Sequence, residues 1–203
     1  MPRDRLRQIE AVTDNFFFWQ GLRWIPLGAA LFLTATAMLP GSPLPRAVRN
    51  WFWVPLFAVA YWLSMSVLGR FYASRFGRVR SDPSRHRLRT SIKWAVVYPA
   101  IVVAMVVDAK VAPPILLSAV AFGAAIEAYR QSTGGGRLHY IVASIALVGF
   151  AFLPMLGMLD PGKRAFAPLI AALGLIYVVG GLLDHRELVR VLGDREEARV
   201  SSV

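Results

Sequence analysis

The sequence predicts an all-α fold, a polytopic membrane helix bundle with six transmembrane helices. Both the N- and C-termini are expected to be cytoplasmic, and an N-terminal amphipathic helix is expected at the membrane interface. Three observations support this prediction. Hydrophobic residues make up 56% of the 203 residues and charged residues only 17%, six apolar stretches alternate with short polar connections, and the basic residues cluster in every second connection.

The six apolar stretches are close in length to a membrane crossing. A transmembrane helix needs about 20 mainly apolar residues, because the hydrocarbon core is about 30 Å thick and a helix rises about 1.5 Å per residue. Each stretch is bounded by Pro, Gly or charged residues, which often mark helix ends. The predicted spans are residues 24–39, 51–69, 93–107, 114–129, 138–159 and 166–183.

The distribution of basic residues predicts the orientation. With the N-terminus in the cytoplasm, 18 of the 23 Lys and Arg residues fall on the cytoplasmic side and 5 on the opposite side, as the positive-inside rule requires. Trp19, Trp24 and Trp94 then lie at inner span ends, and Trp51 and Trp53 at an outer end, where indole rings prefer the headgroup region. The prediction is a multi-pass protein of the plasma (inner) membrane of a prokaryote.

The N-terminal residues 1–22 have the pattern of an amphipathic helix. Leu6, Ile9, Val12, Phe16 and Phe17 recur at spacings near three and four, which gives a helix one apolar face. Such a helix would lie in the inner interface before the chain enters the membrane.

Residues 1–203 are predicted to form a single membrane domain. The transmembrane bundle occupies residues 24–183. Residues 184–203 are expected to form a cytoplasmic helix and tail, in which Gly193 ends or loosens the helix.

The predicted cytoplasmic loop at residues 70–92 is basic, and aromatic residues are interleaved with its arginines until Asp82 and Pro83 interrupt any helix. The loop is predicted to lie on anionic lipids of the bilayer, to dock a cytoplasmic protein partner, or to clamp a phosphate-bearing ligand, because Arg presents a planar fork of donors. No nucleic acid partner is expected, since the charge of +11 adjoins membrane spans and accompanies no nucleic-acid-binding motif. The docking residues are Arg70, Arg75, Arg78, Arg80, Arg85, Arg87 and Arg89.

Small side chains crowd the fourth predicted span. They let helix backbones approach closely, so this span is expected inside the bundle or at the contact of a homodimer. The small residues are Ser118, Ala119, Ala121, Gly123, Ala124, Ala125 and Ala128.

Glu127 lies about 20 Å from the outer end of the fourth span, still within the inner part of the hydrocarbon core. An ionisable group at that depth costs about 2.5–3.5 kcal/mol on insertion scales unless it is paired, hydrated or protonated. Two interpretations stay open. Glu127 forms a structural pair with Arg130 at i+3, or it is a functional carboxylate.

Four more residues are expected at a similar depth, because short loops make consecutive spans antiparallel neighbours. His139 and Tyr140 begin the fifth span, and Asp184 and His185 end the sixth. Together with Glu127 they are the candidate ligand or proton site, which would bind a polar headgroup or relay protons. No metal site and no cofactor is predicted, because these residues match no ligand-spacing signature.

Known catalytic motifs are absent from the sequence. It contains no G-x-S-x-G, H-E-x-x-H or P-loop pattern, and without cysteine it has neither disulfide nor thiolate chemistry. The sequence therefore favours a protein that is not an enzyme.

Three functions remain open. The first is a non-enzymatic membrane subunit or regulator that engages a cytoplasmic partner or anionic lipid through its basic inner face. The second is a small-molecule transporter or substrate-binding membrane component. In size and arrangement of six spans the chain resembles the substrate-binding membrane components of energy-coupling transporters, a likeness of architecture that assigns no residue a role. The third is a lipid-modifying enzyme that uses the inner-interface carboxylates and histidines.

Overall fold

The computed structural model describes residues 16–39, 52–76, 84–132, 137–160 and 165–200. In these ranges the regular structure is helical and contains no β-strand. A short helix α1 is followed by a 3-10 turn at Gly21–Trp24, and a π-helical segment at Leu63–Leu68 joins α3 to α4. The helices are α1 Phe16–Trp19, α2 Ile25–Met38, α3 Trp53–Trp62, α4 Gly69–Phe76, α5 Ser84–Val111, α6 Leu117–Ser132, α7 Leu138–Ala151 and α8 Phe166–Val200.

Four helical segments in the described ranges are long and apolar enough to cross a membrane. They are Gly21–Met38, Trp53–Arg75, Trp94–Val111 and Phe166–Val191. In an apolar 18-residue stretch of the second and of the third, only 11% of the residues are buried, and large side chains such as Val103 and Trp62 are exposed. Such exposure is unfavourable in water and ordinary in lipid. These features are consistent with a multi-pass membrane protein.

Several helix ends differ from the sequence-based boundaries. The second candidate span continues as α4 to Phe76, and α5 starts at Ser84, so the predicted loop at residues 70–92 is helical at both ends. Conversely, α7 ends at Ala151, before Pro154, and the chain turns through residues 152–157 instead of continuing to 159. Pro lacks an N–H and clashes with the preceding turn, which explains this early end.

The last helix is longer than the sequence indicated. Instead of a span that ends at residue 183 and a separate C-terminal helix, α8 runs without interruption to Val200. It passes through Gly193, where an end or loosening was expected. A helix tolerates an internal Gly at a cost of only about 1 kcal/mol, which neighbouring helix-forming residues offset.

The chain contains two compact units. Unit 1 comprises residues 1–30, 51–82 and 174–203, and unit 2 comprises residues 31–50 and 83–173. Helices α2 and α8 each contribute to both units.

Unit 1 has a small core at one end of its helices. Phe16 and Trp19 of α1 pack with Tyr72 of α4 and Leu188 of α8, and all four side chains are buried. The predicted interfacial helix lies mostly outside the described residues. Where it is described, Phe16 and Trp19 face protein rather than lipid.

The N-terminal segment of unit 1 and α8 come into backbone contact at two pairs of glycines. A Cβ added at Gly181 would lie 2.5 Å from the carbonyl oxygen of Gly21, and one added at Gly28 would lie 2.7 Å from that of Gly174. The lower-numbered glycine of the N-terminal segment faces the higher-numbered glycine of α8, so the helices are antiparallel. A side chain at these positions would hold the backbones apart, which is why glycines occupy them.

Unit 2 is organised around α6, which packs against α5 and α7. The Ser144 hydroxyl donates to the Gly123 carbonyl oxygen over 2.8 Å, and a Cβ added at Gly123 would lie 3.1 Å from the Ser144 carbonyl oxygen. Ser118, Ala119 and Ala125 are also buried. The small residues of α6 thus serve close packing, as the sequence predicts for this span.

Candidate functional site

Arg23 is the most extensively bound cation among the described residues of unit 1. Its Nε donates to the carbonyl oxygen of Ser64 at 3.1 Å, one Nη to the Gln20 side-chain oxygen at 2.7 Å and the other to the Met65 sulfur at 3.1 Å. The Ser64 hydroxyl donates in turn to the Arg23 carbonyl oxygen. These residues form the Arg23 cluster, which joins the 3-10 turn to the π-helical segment.

Ser64 lies in the π-helical segment Leu63–Leu68, and its carbonyl oxygen accepts a hydrogen bond from Arg23. In an α-helix a carbonyl oxygen is engaged by the N–H four residues on, whereas a π-helix shifts that pairing to the fifth residue and redirects the local carbonyls. Gly69 leaves the space that the guanidinium needs, since a Cβ there would lie 3.1 Å from an Arg23 Nη. The sequence-based orientation counted Arg23 as a cytoplasmic charge and missed these contacts.

Tyr72 and His185 form the second polar contact of unit 1. The Tyr72 hydroxyl oxygen accepts the backbone N–H of Leu22 at 3.1 Å and lies 2.9 Å from Nδ1 of His185. Because the hydroxyl oxygen accepts from Leu22, its own proton is available to Nδ1 of a neutral imidazole. The two rings meet edge to face with centroids 5.7 Å apart. One hydroxyl therefore connects the N-terminal segment, α4 and α8.

Exposed arginines flank this contact. On α4, Arg70 and Arg75 are exposed on either side of buried Tyr72. On α8, Arg186 is exposed next to His185, and Arg190 is exposed and bonded to Glu187 at 2.5 Å. Of the other predicted docking arginines, Arg78 and Arg80 lie outside the described residues. Arg85, Arg87 and Arg89 belong to the first turns of α5.

Glu127 of unit 2 is engaged by its own helix. Arg130 donates from Nε to one carboxylate oxygen at 2.8 Å and from Nη2 to the other at 2.6 Å, and Gln131 adds a contact at 2.9 Å. This is the i, i+3 pair that the sequence offered as one of two interpretations. A second role as a ligand or proton site stays a prediction.

His139 and Tyr140 lie together at the start of α7. Their ring centroids are 4.3 Å apart, and the Tyr140 ring also meets Tyr129 of α6 edge to face at 5.3 Å. The Arg137 guanidinium lies 5.7 Å from the Tyr140 centroid, which is within cation–π range. This aromatic cluster joins the ends of α6 and α7.

The five residues of the candidate ligand or proton site fall in different units. Glu127, His139 and Tyr140 belong to unit 2, whereas Asp184 and His185 belong to unit 1. Asp184 is completely buried in α8. Among the described residues, no group of three or more His, Asp or Glu side chains is arranged to hold a metal ion.

Asp108 is a buried carboxylate that sequence reasoning did not single out. Its Oδ1 accepts the N–H of Leu117 at 2.9 Å, and its Oδ2 accepts the N–H and the hydroxyl of Ser118 at 2.8 and 2.5 Å. It therefore caps the N-terminus of α6 from the end of α5, where a negative charge also complements the helix dipole. The sequence feature that could have identified Asp108 is an Asp at the end of a predicted span, followed within ten residues by the start of another helix.

Comparison with known proteins gives no relative from which a function can be carried over: no family model, no curated protein and no solved structure matches this chain.

Proposed function

We propose that this protein is a non-enzymatic membrane subunit or regulator that works through its basic inner face. In this proposal both termini are cytoplasmic, and the inner face binds anionic lipid or a cytoplasmic protein partner. The supporting observation is the set of exposed arginines on α4 and α8, which the Tyr72–His185 hydrogen bond holds beside each other. Arg offers a planar fork of donors that suits phosphates and carboxylates.

The directions of the helices support the grouping of these arginines. The N-terminal segment runs antiparallel to α8 through its glycine pairs. It also runs antiparallel to the second membrane helix, because Phe16 packs near Tyr72 while Arg23 contacts Ser64. Helices α4 and α8 therefore run in the same direction, and their arginines emerge at the same end of unit 1. That end is the cytoplasmic one if the positive-inside rule holds.

The hydrogen bonds of two carboxylates outside this face support a structural rather than a chemical role for them. Glu127 is engaged by Arg130 and Gln131, and Asp108 caps α6 with three hydrogen bonds. Both carboxylates thus stabilise the fold, whereas the arginines of α4 and α8 point outward.

The first test is mass spectrometry of the tagged protein after gentle extraction from its native membrane. A protein partner or an anionic lipid retained in fixed stoichiometry, and lost when Arg70 and Arg75 are both changed to Gln, supports the proposal. Lys110, exposed at the end of α5, supplies the matched control, and Lys110→Gln is expected to leave retention unchanged. Turnover of a lipid by the purified protein would contradict a non-enzymatic role.

The proposed orientation has its own test, because the chain contains no cysteine and introduced cysteines label without background. Arg46→Cys and Gly135→Cys are expected to react with a membrane-impermeant maleimide from opposite sides. Labelling of both from one side would refute the six-span arrangement.

Transport is the second candidate function, and the Arg23 cluster favours it. Interrupted helices line the substrate sites of many transporters, and π-helical turns recur at functional sites. Here the Ser64 carbonyl oxygen, in a π-helical segment inside a membrane helix, accepts a hydrogen bond from Nε of Arg23. A small molecule that is retained by the native chain, lost from Arg23→Lys and kept by the nearby Ser66→Ala would support transport over the subunit role.

A further inference from the structure

One face of α8 is exposed from Leu175 to Arg190 in unit 1. Leu175, Val179 and Leu182 are 57%, 45% and 50% exposed, and Arg186 and Arg190 continue the same line. Their spacing of three or four residues places all five on one side of the helix. The opposite side, with Gly174, Gly181 and Leu188, is buried. An apolar stripe therefore leads directly to two arginines.

The length of this stripe fits one leaflet of a bilayer. Eleven residues separate Leu175 from Arg186, which at about 1.5 Å per residue is about 16 Å. Half of a hydrocarbon core of about 30 Å is about 15 Å. A lipid whose acyl chain follows the stripe would therefore place its headgroup near Arg186.

A second exposed line lies beside the first. Val67, Phe71 and Arg75 follow each other at intervals of four residues, and Val67 and Phe71 are 47% and 37% exposed. The Phe71 ring lies 6.4 Å from the His185 ring, so this line borders α8 close to Arg186. Because the two helices run in the same direction, both lines change from apolar to basic at the same end of unit 1.

We infer that these two lines form a binding site for one anionic phospholipid of the cytoplasmic leaflet. The acyl chain lies along Leu175, Val179 and Leu182, and the phosphate lies between Arg75 and Arg186. Arg190 is assigned a lesser part because its guanidinium already bonds Glu187. The inference rests on the proposed function and deepens it, since it names the lipid class and the residues that bind it.

A phospholipid fits these observations better than a free phosphate or a protein. A free phosphate would use the arginines and leave the apolar stripe without a role. A water-soluble partner would not cover a stripe that lies in a helix apolar enough to cross the membrane. The joined apolar and basic surfaces match the two parts of a phospholipid.

The test is native mass spectrometry of the detergent-purified full chain, titrated with phosphatidylglycerol and, separately, with phosphatidylcholine. One phosphatidylglycerol is expected to bind with a Kd at least tenfold below that of phosphatidylcholine. Arg75→Gln and Arg186→Gln are each expected to raise the Kd about fivefold, the equivalent of about 1 kcal/mol per basic residue near an anionic surface, and the double variant about 25-fold. Arg186→Lys keeps the charge without the fork and should fall between the native chain and Arg186→Gln.

Matched controls separate a site from general attraction between a basic protein and anionic lipid. Lys110→Gln also removes an exposed basic charge and is expected to leave the Kd unchanged. Equal weakening by Lys110→Gln and Arg186→Gln would overturn the site. Equal affinity for the two lipids would overturn it as well. So would full competition by glycerol phosphate, which has the headgroup without the acyl chains.

This lipid titration and the extraction test of the proposed function together distinguish failure of this site from failure of the proposed function. A cytoplasmic protein retained through Arg75 and Arg186, with no preference for phosphatidylglycerol, would overturn the lipid site and leave the subunit role standing. Catalytic turnover of the bound lipid would overturn the non-enzymatic role and leave the binding site in place.

Discussion

Replacing Gly181 with Ala tests the close contact between the N-terminal segment and α8. The new Cβ would lie 2.5 Å from the Gly21 carbonyl oxygen, and real Cβ atoms essentially never come within 3.0 Å of another heavy atom. The backbones must therefore separate by at least about 0.5 Å, because no side-chain rotation moves a carbonyl oxygen. Overpacking of this kind typically costs about 1–3 kcal/mol.

We expect Gly181→Ala to lower the free energy of unfolding by about 2 kcal/mol, which is roughly thirtyfold in the unfolding equilibrium constant. The separation would also pull Leu22 away from the Tyr72 hydroxyl, whose hydrogen bond is now 3.1 Å long. Unfolding in mixed dodecylmaltoside and sodium dodecyl sulfate, followed by tryptophan fluorescence, measures the change. Of the six tryptophans, Trp19 and Trp24 flank the contact and report on it.

Gly149→Ala is the matched control. This glycine lies in α7, and a Cβ added there meets nothing within 4 Å. Ala favours a helix over Gly by up to about 1 kcal/mol, so Gly149→Ala is expected to be neutral or stabilising. The argument from backbone contact is refuted if Gly181→Ala loses no more stability than Gly149→Ala.

Three further substitutions test other contacts, each by the same unfolding measurement. Asp108→Ala should lower the free energy of unfolding by about 2 kcal/mol, because it removes the cap of α6 and leaves the buried Ser118 N–H without its acceptor. A loss below about 0.5 kcal/mol, the size of an ordinary surface substitution, would contradict the capping role. Ala112, with φ of 50°, occupies a left-handed conformation after α5, so Ala112→Gly should gain about 0.5–1 kcal/mol, and destabilisation would contradict that reasoning. Tyr72→Phe removes the hydroxyl shared by Leu22 and His185 and should cost about 1–2 kcal/mol, whereas an unchanged midpoint would show that this hydrogen bond contributes nothing.

The candidate site shows where sequence reasoning reached its limit. The pair of Glu127 and Arg130 was foreseeable because residues three apart lie on one helix face. The partners of Arg23 were not, since Ser64 and Met65 lie about forty residues away in the chain. Nothing in the sequence of residues 63–68 distinguishes a π-helical segment from a continuation of the α-helix.

The helix ends divide in the same way. Pro, Gly and charged residues mark some helix ends in the sequence. From them, both ends of α6 and the start of α8 were predicted to within a few residues of where the structure has them. The extension of α8 through Gly193 and the helical residues at both ends of the predicted loop could not. Helix propensity in these stretches is weak evidence, and contacts such as Tyr72 with His185 add stability that the local sequence does not display.

The sequence by itself determined that this chain is helical and suited to cross a membrane several times. The reason is local, since in lipid each helix must satisfy its own backbone and present about 20 apolar residues, and both requirements are visible residue by residue. Only the tertiary structure decided that glycines 21 and 181 touch, that Asp108 caps α6, and that arginines of α4 and α8 emerge together. Each of these joins residues of different helices, and the choice of neighbour follows from packing between helices rather than from the composition of either one.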